Sequence, residues 1–156
     1  MPIPKRCRAA SRIGLEVATT KDGAFTVALS GGSTPRRLYQ LLAGPPYCDK
    51  FPWSRAHWFW GDERFVSHDD TLSNYRMVRE VLLSRAPIPE INIHPIPTEG
   101  TTPDKAVAAY EHELKSFYGA EHLDPARPLF DVTLLADRLP KTQRKRGGGG
   151  AGHVFT

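Results

Sequence analysis

The sequence is poor in cysteine, has no long hydrophobic run and lacks the pattern typical of a signal peptide, and we expect these features to exclude several classes of protein. Its two cysteines among 156 residues, Cys7 and Cys48, are too far apart to suggest a metal site. A disulfide and two reduced thiols both fit this count, but isolated cysteines more often stay reduced, so we expect a cytoplasmic protein. No apolar run approaches the roughly 20 residues of a membrane span, and no continuous apolar stretch follows the basic N-terminus. We therefore expect no membrane association.

A charge excess is also missing from most of the chain. Residues 1–135 contain 16 basic and 16 acidic side chains, so the whole net charge of +4 comes from residues 136–156. A neutral body argues against a nucleic-acid partner, since five clustered cations alone would bind weakly and in a salt-sensitive way. The last segment also lacks hydrophobic periodicity and contains four consecutive glycines, so we expect a disordered tail at 136–156.

Over the body, strand-like segments alternate with amphipathic helical ones. Strands are predicted at 24–29, 56–60 and 129–135, helices at 36–43, 73–86 and 105–119, and a connector or edge strand at 91–100. This order predicts an α/β domain with a Rossmann-like, mainly parallel sheet and flanking helices. Trp58 and Trp60 should share a core-facing side of the sheet. Val107, Tyr110, Leu114 and Phe117 should share the packing side of the last helix.

The loop after the first predicted strand contains Ser30, Gly31, Gly32, Ser33 and Thr34. Glycines let the backbone approach a ligand, and the N-terminus of the helix that follows favours an anion. Ser or Thr before Pro also signals a helix start that is capped by a hydroxyl. Either an anion site or a plain turn with a helix cap fits this pattern. Its position after a strand favours the site, because parallel sheets bind ligands beyond the carboxyl ends of their strands.

The loop after the second strand begins with Asp62, Glu63 and Arg64 and runs to Asn74. The carboxylates could accept protons or orient other groups, and Arg64 suits a phosphate or carboxylate. A solvated loop with a local ion pair is the alternative. Ser73 or Asn74 fits a helix cap, and Asn74 also fits a hydrogen bond to a sugar hydroxyl. His68 and His94 fit surface or packing roles better than catalysis.

The stretches that carry these loops resemble a known family. They read VALSGGSTP, WFWGDERFVSHDDTLSNYRMVREVLL and IPEINIHPIP, and the similarity to the glucosamine-6-phosphate isomerase/6-phosphogluconolactonase family, in its lactonase form, runs from about Phe25 to Leu135. The resemblance implies hydrolysis of 6-phospho-D-glucono-1,5-lactone to 6-phosphogluconate in the oxidative pentose phosphate pathway, with no metal or organic cofactor. It implies a small-molecule sugar phosphate lactone as the partner of a chain that we expect to be monomeric.

The resemblance also assigns roles to residues. It implies that Asp62 and Arg64 are catalytic, with Arg64 also binding the substrate phosphate. The remaining implied substrate-binding residues are Ser30, Gly31, Gly32, Ser33, Thr34 and Asn74.

The chain departs from the family after Leu135. The family continues with a segment containing Asp-Gly-His-Thr-Ala-Ser-Leu-Phe-Pro, whose histidine is the usual candidate for the general base. That segment is absent, and Gly152-His153 is only an echo of it. We therefore expect residues 1–135 to be a partial sugar-phosphate-binding domain, followed by a frameshifted or mis-assigned tail. A non-catalytic sugar-phosphate-binding remnant and an enzyme like glucosamine-6-phosphate deaminase are the alternative functions.

Overall fold

A computed structural model describes residues 23–135, which form a parallel sheet flanked by helices. Within these residues the strand order is β3-β2-β1-β4, and all neighbouring strands are parallel. The strands are β1 (Phe25–Leu29), β2 (Ala56–Trp60), β3 (Ile93–His94) and β4 (Val132–Thr133). The predicted fold class is confirmed. The predicted tail at 136–156 lies outside the described residues.

Three helices connect the strands. They are α1 (Ser33–Leu42), α2 (Asn74–Val78), which continues as a π-helical segment at Arg79–Leu83, and α3 (Pro103–Tyr118). Short 3₁₀ turns at Trp53–Arg55 and Glu90–Asn92 lead into β2 and β3. No helix within residues 23–135 combines the length and apolarity needed to cross a bilayer.

One face of the sheet forms a buried apolar core against α1 and α2. Trp58 and Trp60 are both fully buried there, as the alternation of strand residues predicts, and they pack with Leu29, Val78 and Leu82. Burial of side chains of this size supplies much of the hydrophobic stabilisation of a small domain. Leu29 and Trp60, the last residues of β1 and β2, lie in this core, so its packing holds the carboxyl ends of both strands.

The other face carries rings and histidines. Phe59 of β2 stacks on His94 of β3 with ring centroids 4.3 Å apart, and Phe117 of α3 packs edge-on to Phe59 at 5.0 Å. The predicted packing side of α3 is wrong at Val107, which is 66% exposed. Ala106, Tyr110 and Tyr118 are the buried residues of α3. The buried stripe runs along i, i+4 spacings, and Val107 is one residue beyond it.

The predicted third strand, 129–135, is shorter in the structure. Only Val132 and Thr133 of this segment pair with β1, and both are exposed. The connector at 91–100 does contain an edge strand, β3, which stops where Pro95 begins a proline-rich stretch. Proline has no N–H for a ladder, so the edge position and short length of β3 follow from the sequence.

Candidate active site

Two loops lie at the carboxyl ends of the central strands β1 and β2. The glycine loop comprises residues 30–35 and the polar loop comprises residues 61–73. The strand ends are joined where the Gly61 N–H donates to the Leu29 carbonyl at 2.8 Å. Both loops line one cavity of about 640 Å³, which the chain segment around β4 closes on the third side. The positions selected from the sequence therefore meet in space.

The glycine loop leads into α1 with no side-chain cap. Gly32 is the N-cap residue and has a φ of 107°, a conformation that a residue with a Cβ rarely adopts. The expected hydroxyl cap is wrong for α1, since no side chain bonds its first-turn N–H groups. These N–H groups and the positive end of the helix dipole remain available at the cavity, which suits an anion.

Asn74 hydrogen-bonds the polar loop and packs against the glycine loop. Its side chain is 3% exposed, its Nδ2 donates to the Asp62 carbonyl at 3.0 Å, and its Oδ1 accepts from Arg64 Nη1 at 3.2 Å. A Cβ on Gly31 would lie 1.9 Å from that Oδ1. Gly31 is therefore needed as a glycine because the Asn74 amide occupies the space of a side chain.

Glu63 binds the first N–H groups of α2, a role that the sequence did not reveal. Its Oε1 accepts from the N–H groups of Arg64 (2.8 Å) and Asn74 (2.7 Å). Its Oε2 accepts from the Tyr75 N–H (2.7 Å) and the Ser73 hydroxyl (3.3 Å). The Ser73 hydroxyl in turn accepts from the Arg76 N–H at 3.1 Å, so Ser73, one of the two predicted candidates, is the N-cap residue. The signal in the sequence is only the acidic residue ahead of a Ser-Asn helix start.

Asp62 and Glu63 are thus adjacent carboxylates with different surroundings. Asp62 is exposed and lines the cavity, and no hydrogen bond to its carboxylate is present among residues 23–135. Glu63 does not line this cavity and is engaged by four donors. Only Asp62 is available to exchange a proton with a bound molecule.

Arg64 lies between two neighbouring cavities. It lines the larger cavity and also a neighbouring one of about 320 Å³, which Ser33 and Arg36 line as well. One nitrogen, Nη1, donates to the Leu72 carbonyl (3.1 Å) and to Asn74. None of the hydrogen bonds of the described region uses Nη2 or Nε, so a fork of donors remains for two oxygens of an anion. Arg36 was not singled out from the sequence, although its place in the first turn of α1 puts it here.

The histidines lie elsewhere. His68 stacks on Tyr75 with centroids 4.4 Å apart, and His94 bonds Glu113 at 2.7 Å and His57 at 3.1 Å. No histidine between residues 23 and 135 lines either cavity. The packing roles predicted for His68 and His94 are consistent with these contacts. Among the same residues no group of three or more His, Cys, Asp or Glu side chains is arranged to hold a metal ion.

Residues 6–136 match the family described as glucosamine-6-phosphate isomerases/6-phosphogluconolactonase. The chain belongs to this family. The match takes in both loops and all four strands, so the family assignment covers the whole candidate site.

Curated family members come from many organisms. The chain is 44% identical to the 6-phosphogluconolactonase of Nostoc sp. over 122 residues, which is 78% of this chain and 48% of the relative. It is 45% identical to the Synechocystis sp. 6-phosphogluconolactonase over 120 residues, 76% of this chain and 47% of the relative. The chain thus spans about half the length of these relatives.

A solved family member has the same fold. The crystal structure of 6-phosphogluconolactonase from Thermotoga maritima superposes with a TM-score of 0.56 at 42% identity, covering 62% of this chain and 42% of that one. The resemblance inferred from the sequence motifs is therefore confirmed at the level of family and fold.

Proposed function

We propose that this chain hydrolyses 6-phospho-D-glucono-1,5-lactone to 6-phosphogluconate. The observation that carries the proposal is the meeting of three groups at one cavity: the uncapped N-terminus of α1, the guanidinium of Arg64 and the carboxylate of Asp62. The names of the curated relatives favour a lactone over an amino sugar as the substrate. The proposal includes a monomeric chain acting in the cytoplasm.

The phosphate would bind where the glycine loop meets α1. Ser33 and Thr34 contribute first-turn N–H groups, and the exposed Gly32 leaves the backbone accessible. Arg64 adds a positive charge with donors that match two phosphate oxygens. A dianion held by backbone N–H groups and a guanidinium is bound by charge and geometry together.

The lactone would then lie toward Asp62. Asp62 accepts a proton from a water as the water oxygen adds to the lactone carbonyl carbon. The bond from that carbon to the ring oxygen breaks, and the proton passes to the ring oxygen, which leaves as a hydroxyl. In this scheme Arg64 is the nearest positive charge to the developing oxyanion, and such a charge stabilises the transition state more than the ground state. Asn74 contributes by holding Arg64 and the backbone of Asp62.

Lactone hydrolysis by the purified 156-residue chain tests the proposal, with the spontaneous rate subtracted. Asp62→Asn should lower the enzymatic rate by roughly 100-fold, the range that general bases contribute. Asp104→Asn is the matched control, because Asp104 is an exposed residue of α3 that lines neither cavity. A wild-type rate equal to the spontaneous rate would overturn the catalytic proposal, and saturable binding of 6-phosphogluconate without turnover would leave a binding role.

A further inference from the structure

Two buried tyrosine phenols hold the ends of the two central strands in the same way. Tyr39 of α1 accepts from the Ser30 N–H at 3.1 Å and donates to the Ser30 carbonyl at 2.9 Å. Tyr110 of α3 accepts from the Trp60 N–H at 2.8 Å and donates to the Trp60 carbonyl at 2.9 Å. Burial raises the pKa of Tyr39 to about 12 and also raises the pKa of Tyr110. Both phenols therefore keep their protons, and so their donor role, at neutral pH.

The two clamps satisfy peptide groups that a neighbouring strand does not reach. In a parallel ladder the N–H and C=O of alternate residues point to the same neighbour. The Ala28 carbonyl accepts from the Leu134 N–H, so the peptide groups of Ser30 also point toward the β4 side, beyond the end of that strand. Those of Trp60 point toward β3, beyond His94, the last β3 residue that pairs with β2. Each phenol takes the place of a missing strand residue.

The side chains that the clamps hold differ. The Trp60 side chain lies in the apolar core. Ser30 is 5% exposed and lines the larger cavity, yet its Oγ has no hydrogen-bond partner within the described part of the chain. The indole nitrogens of Trp58 and Trp60 also lack partners there, but these residues do not line that cavity. Because buried hydroxyls are nearly always paired, an unpaired one at a cavity wall is open to a hydrogen bond from a molecule that enters the cavity.

We propose that Tyr39 is a positioning residue, whose phenol fixes Ser30 so that the Ser30 hydroxyl bonds an oxygen of the ligand in the larger cavity. The inference rests on the proposed function, since it takes that ligand to be a sugar phosphate. Tyr39 touches no ligand itself. It fixes the Ser30 backbone before binding, and fixing a donor in advance lowers the entropy lost when the ligand arrives.

The test is calorimetric titration of the full chain with 6-phosphogluconate. Ser30→Ala removes the hydroxyl and Tyr39→Phe removes the clamp while keeping the ring. Each should weaken binding about fivefold, the effect of one neutral hydrogen bond. The double variant should bind no more weakly than Ser30→Ala alone, because Tyr39 acts through Ser30. Ser30→Thr, which keeps a hydroxyl, should restore most of the affinity.

Tyr110→Phe is the matched control, because it removes the equivalent clamp from a residue that does not face the cavity. It should lower the melting temperature as Tyr39→Phe does and leave the dissociation constant within about twofold. Equal losses of affinity in both clamp variants, additive losses in the double variant, or wild-type affinity in Ser30→Ala would each overturn the inference. The last result would leave the proposed function standing, whereas a wild-type chain that does not bind 6-phosphogluconate would overturn both.

Inorganic phosphate identifies the oxygen. A fivefold loss for both phosphate and 6-phosphogluconate in Ser30→Ala assigns the hydroxyl to a phosphate oxygen. A loss for 6-phosphogluconate alone assigns it to the sugar portion. Either result supports the role of Ser30. Should Tyr39→Phe fail to fold, the Ser30→Ala and Ser30→Thr pair still decides whether the hydroxyl contacts the ligand.

Discussion

The glycine loop and the polar loop enter one cavity from neighbouring strands, and they are held by different kinds of contact. The glycine loop depends on side chains that are missing. Gly31 leaves room for the Asn74 amide, and Gly32 takes a positive φ. Its anchoring contacts run through the backbone, where the Tyr39 phenol binds both peptide groups of Ser30.

The polar loop depends on side-chain acceptors instead. Glu63 receives donors from the start of α2, and Glu99 receives the Ser67 hydroxyl at 2.6 Å and the His68 N–H at 2.7 Å. The two loops touch where Gly31 meets Asn74. We therefore expect substitutions that add atoms to destabilise the glycine loop, and substitutions that remove hydrogen-bond acceptors to destabilise the polar loop.

Gly31→Ala should have the largest effect of the substitutions that test this contrast. The new methyl would overlap the Asn74 amide, which hydrogen bonds to Asp62 and Arg64 prevent from moving aside. We expect the free energy of unfolding in urea to fall by about 2 kcal/mol, as for an overpacked core.

Two further variants check that cause. In an Asn74→Ala background the obstacle is gone, and Gly31→Ala should cost less than about 0.5 kcal/mol more. Gly44→Ala is the control, since its methyl would meet nothing nearer than 3.4 Å. Equal costs of Gly31→Ala in both backgrounds would show that Asn74 is not what excludes a side chain.

The sequence predicts where the site lies better than it predicts the side-chain contacts within the site. Parallel strands end at a common edge, so the loops after β1 and β2 were expected to meet, and they do. Strand alternation also placed Trp58 and Trp60 in the core. Both features follow from the regular geometry of strands, so a single sequence contains enough information to predict them.

Contacts between loop side chains have no such period. Asp62 and Glu63 are adjacent acidic residues that the sequence alone does not distinguish. The fold turns Asp62 toward the cavity and Glu63 toward the N–H of Asn74, eleven residues later. The need for glycine at position 31 likewise depends on where the Asn74 amide lies in space. The tertiary structure decides these roles, whereas residue types only restrict them.

Glu63→Gln should have the next largest effect on stability. Four donors approach the two carboxylate oxygens, and a glutamine offers one oxygen and turns an NH₂ group toward the other donors. We expect a loss of roughly 1.5 kcal/mol in urea unfolding, typical of a lost charged cap. Asp62→Asn is a close control and should change stability by less than about 0.5 kcal/mol, as expected for a surface position. Similar losses in both variants would contradict the separate roles of these neighbours.

Arg36→Ala tests whether Arg36, in the first turn of α1, adds a second cation to the anion site. Arg36 is exposed and lines the smaller cavity beside Arg64. An exposed charge contributes little, so binding of 6-phosphogluconate should weaken only about threefold in calorimetry. Arg37→Ala, at the adjacent exposed position outside both cavities, should leave the affinity unchanged. Equal effects of the two variants would reduce the role of Arg36 to net charge.

The smallest expected effect is a loss of stability at low pH. Hydrogen bonds from the Ser67 hydroxyl and then from the His68 N–H hold the pKa of the Glu99 carboxyl below its ordinary value of 4.5. Because the folded pKa is the lower one, this contribution to stability is complete above pH of about 4.5 and is lost as the pH falls through the folded pKa. The glycine loop has no acidic or basic side chain, so only the polar loop should respond through this contact. In NMR spectra the His68 amide resonance should shift with a midpoint below pH 4.5, and Glu99→Gln should abolish that transition. A midpoint at or above the ordinary value would show that these two donors do not hold the carboxylate.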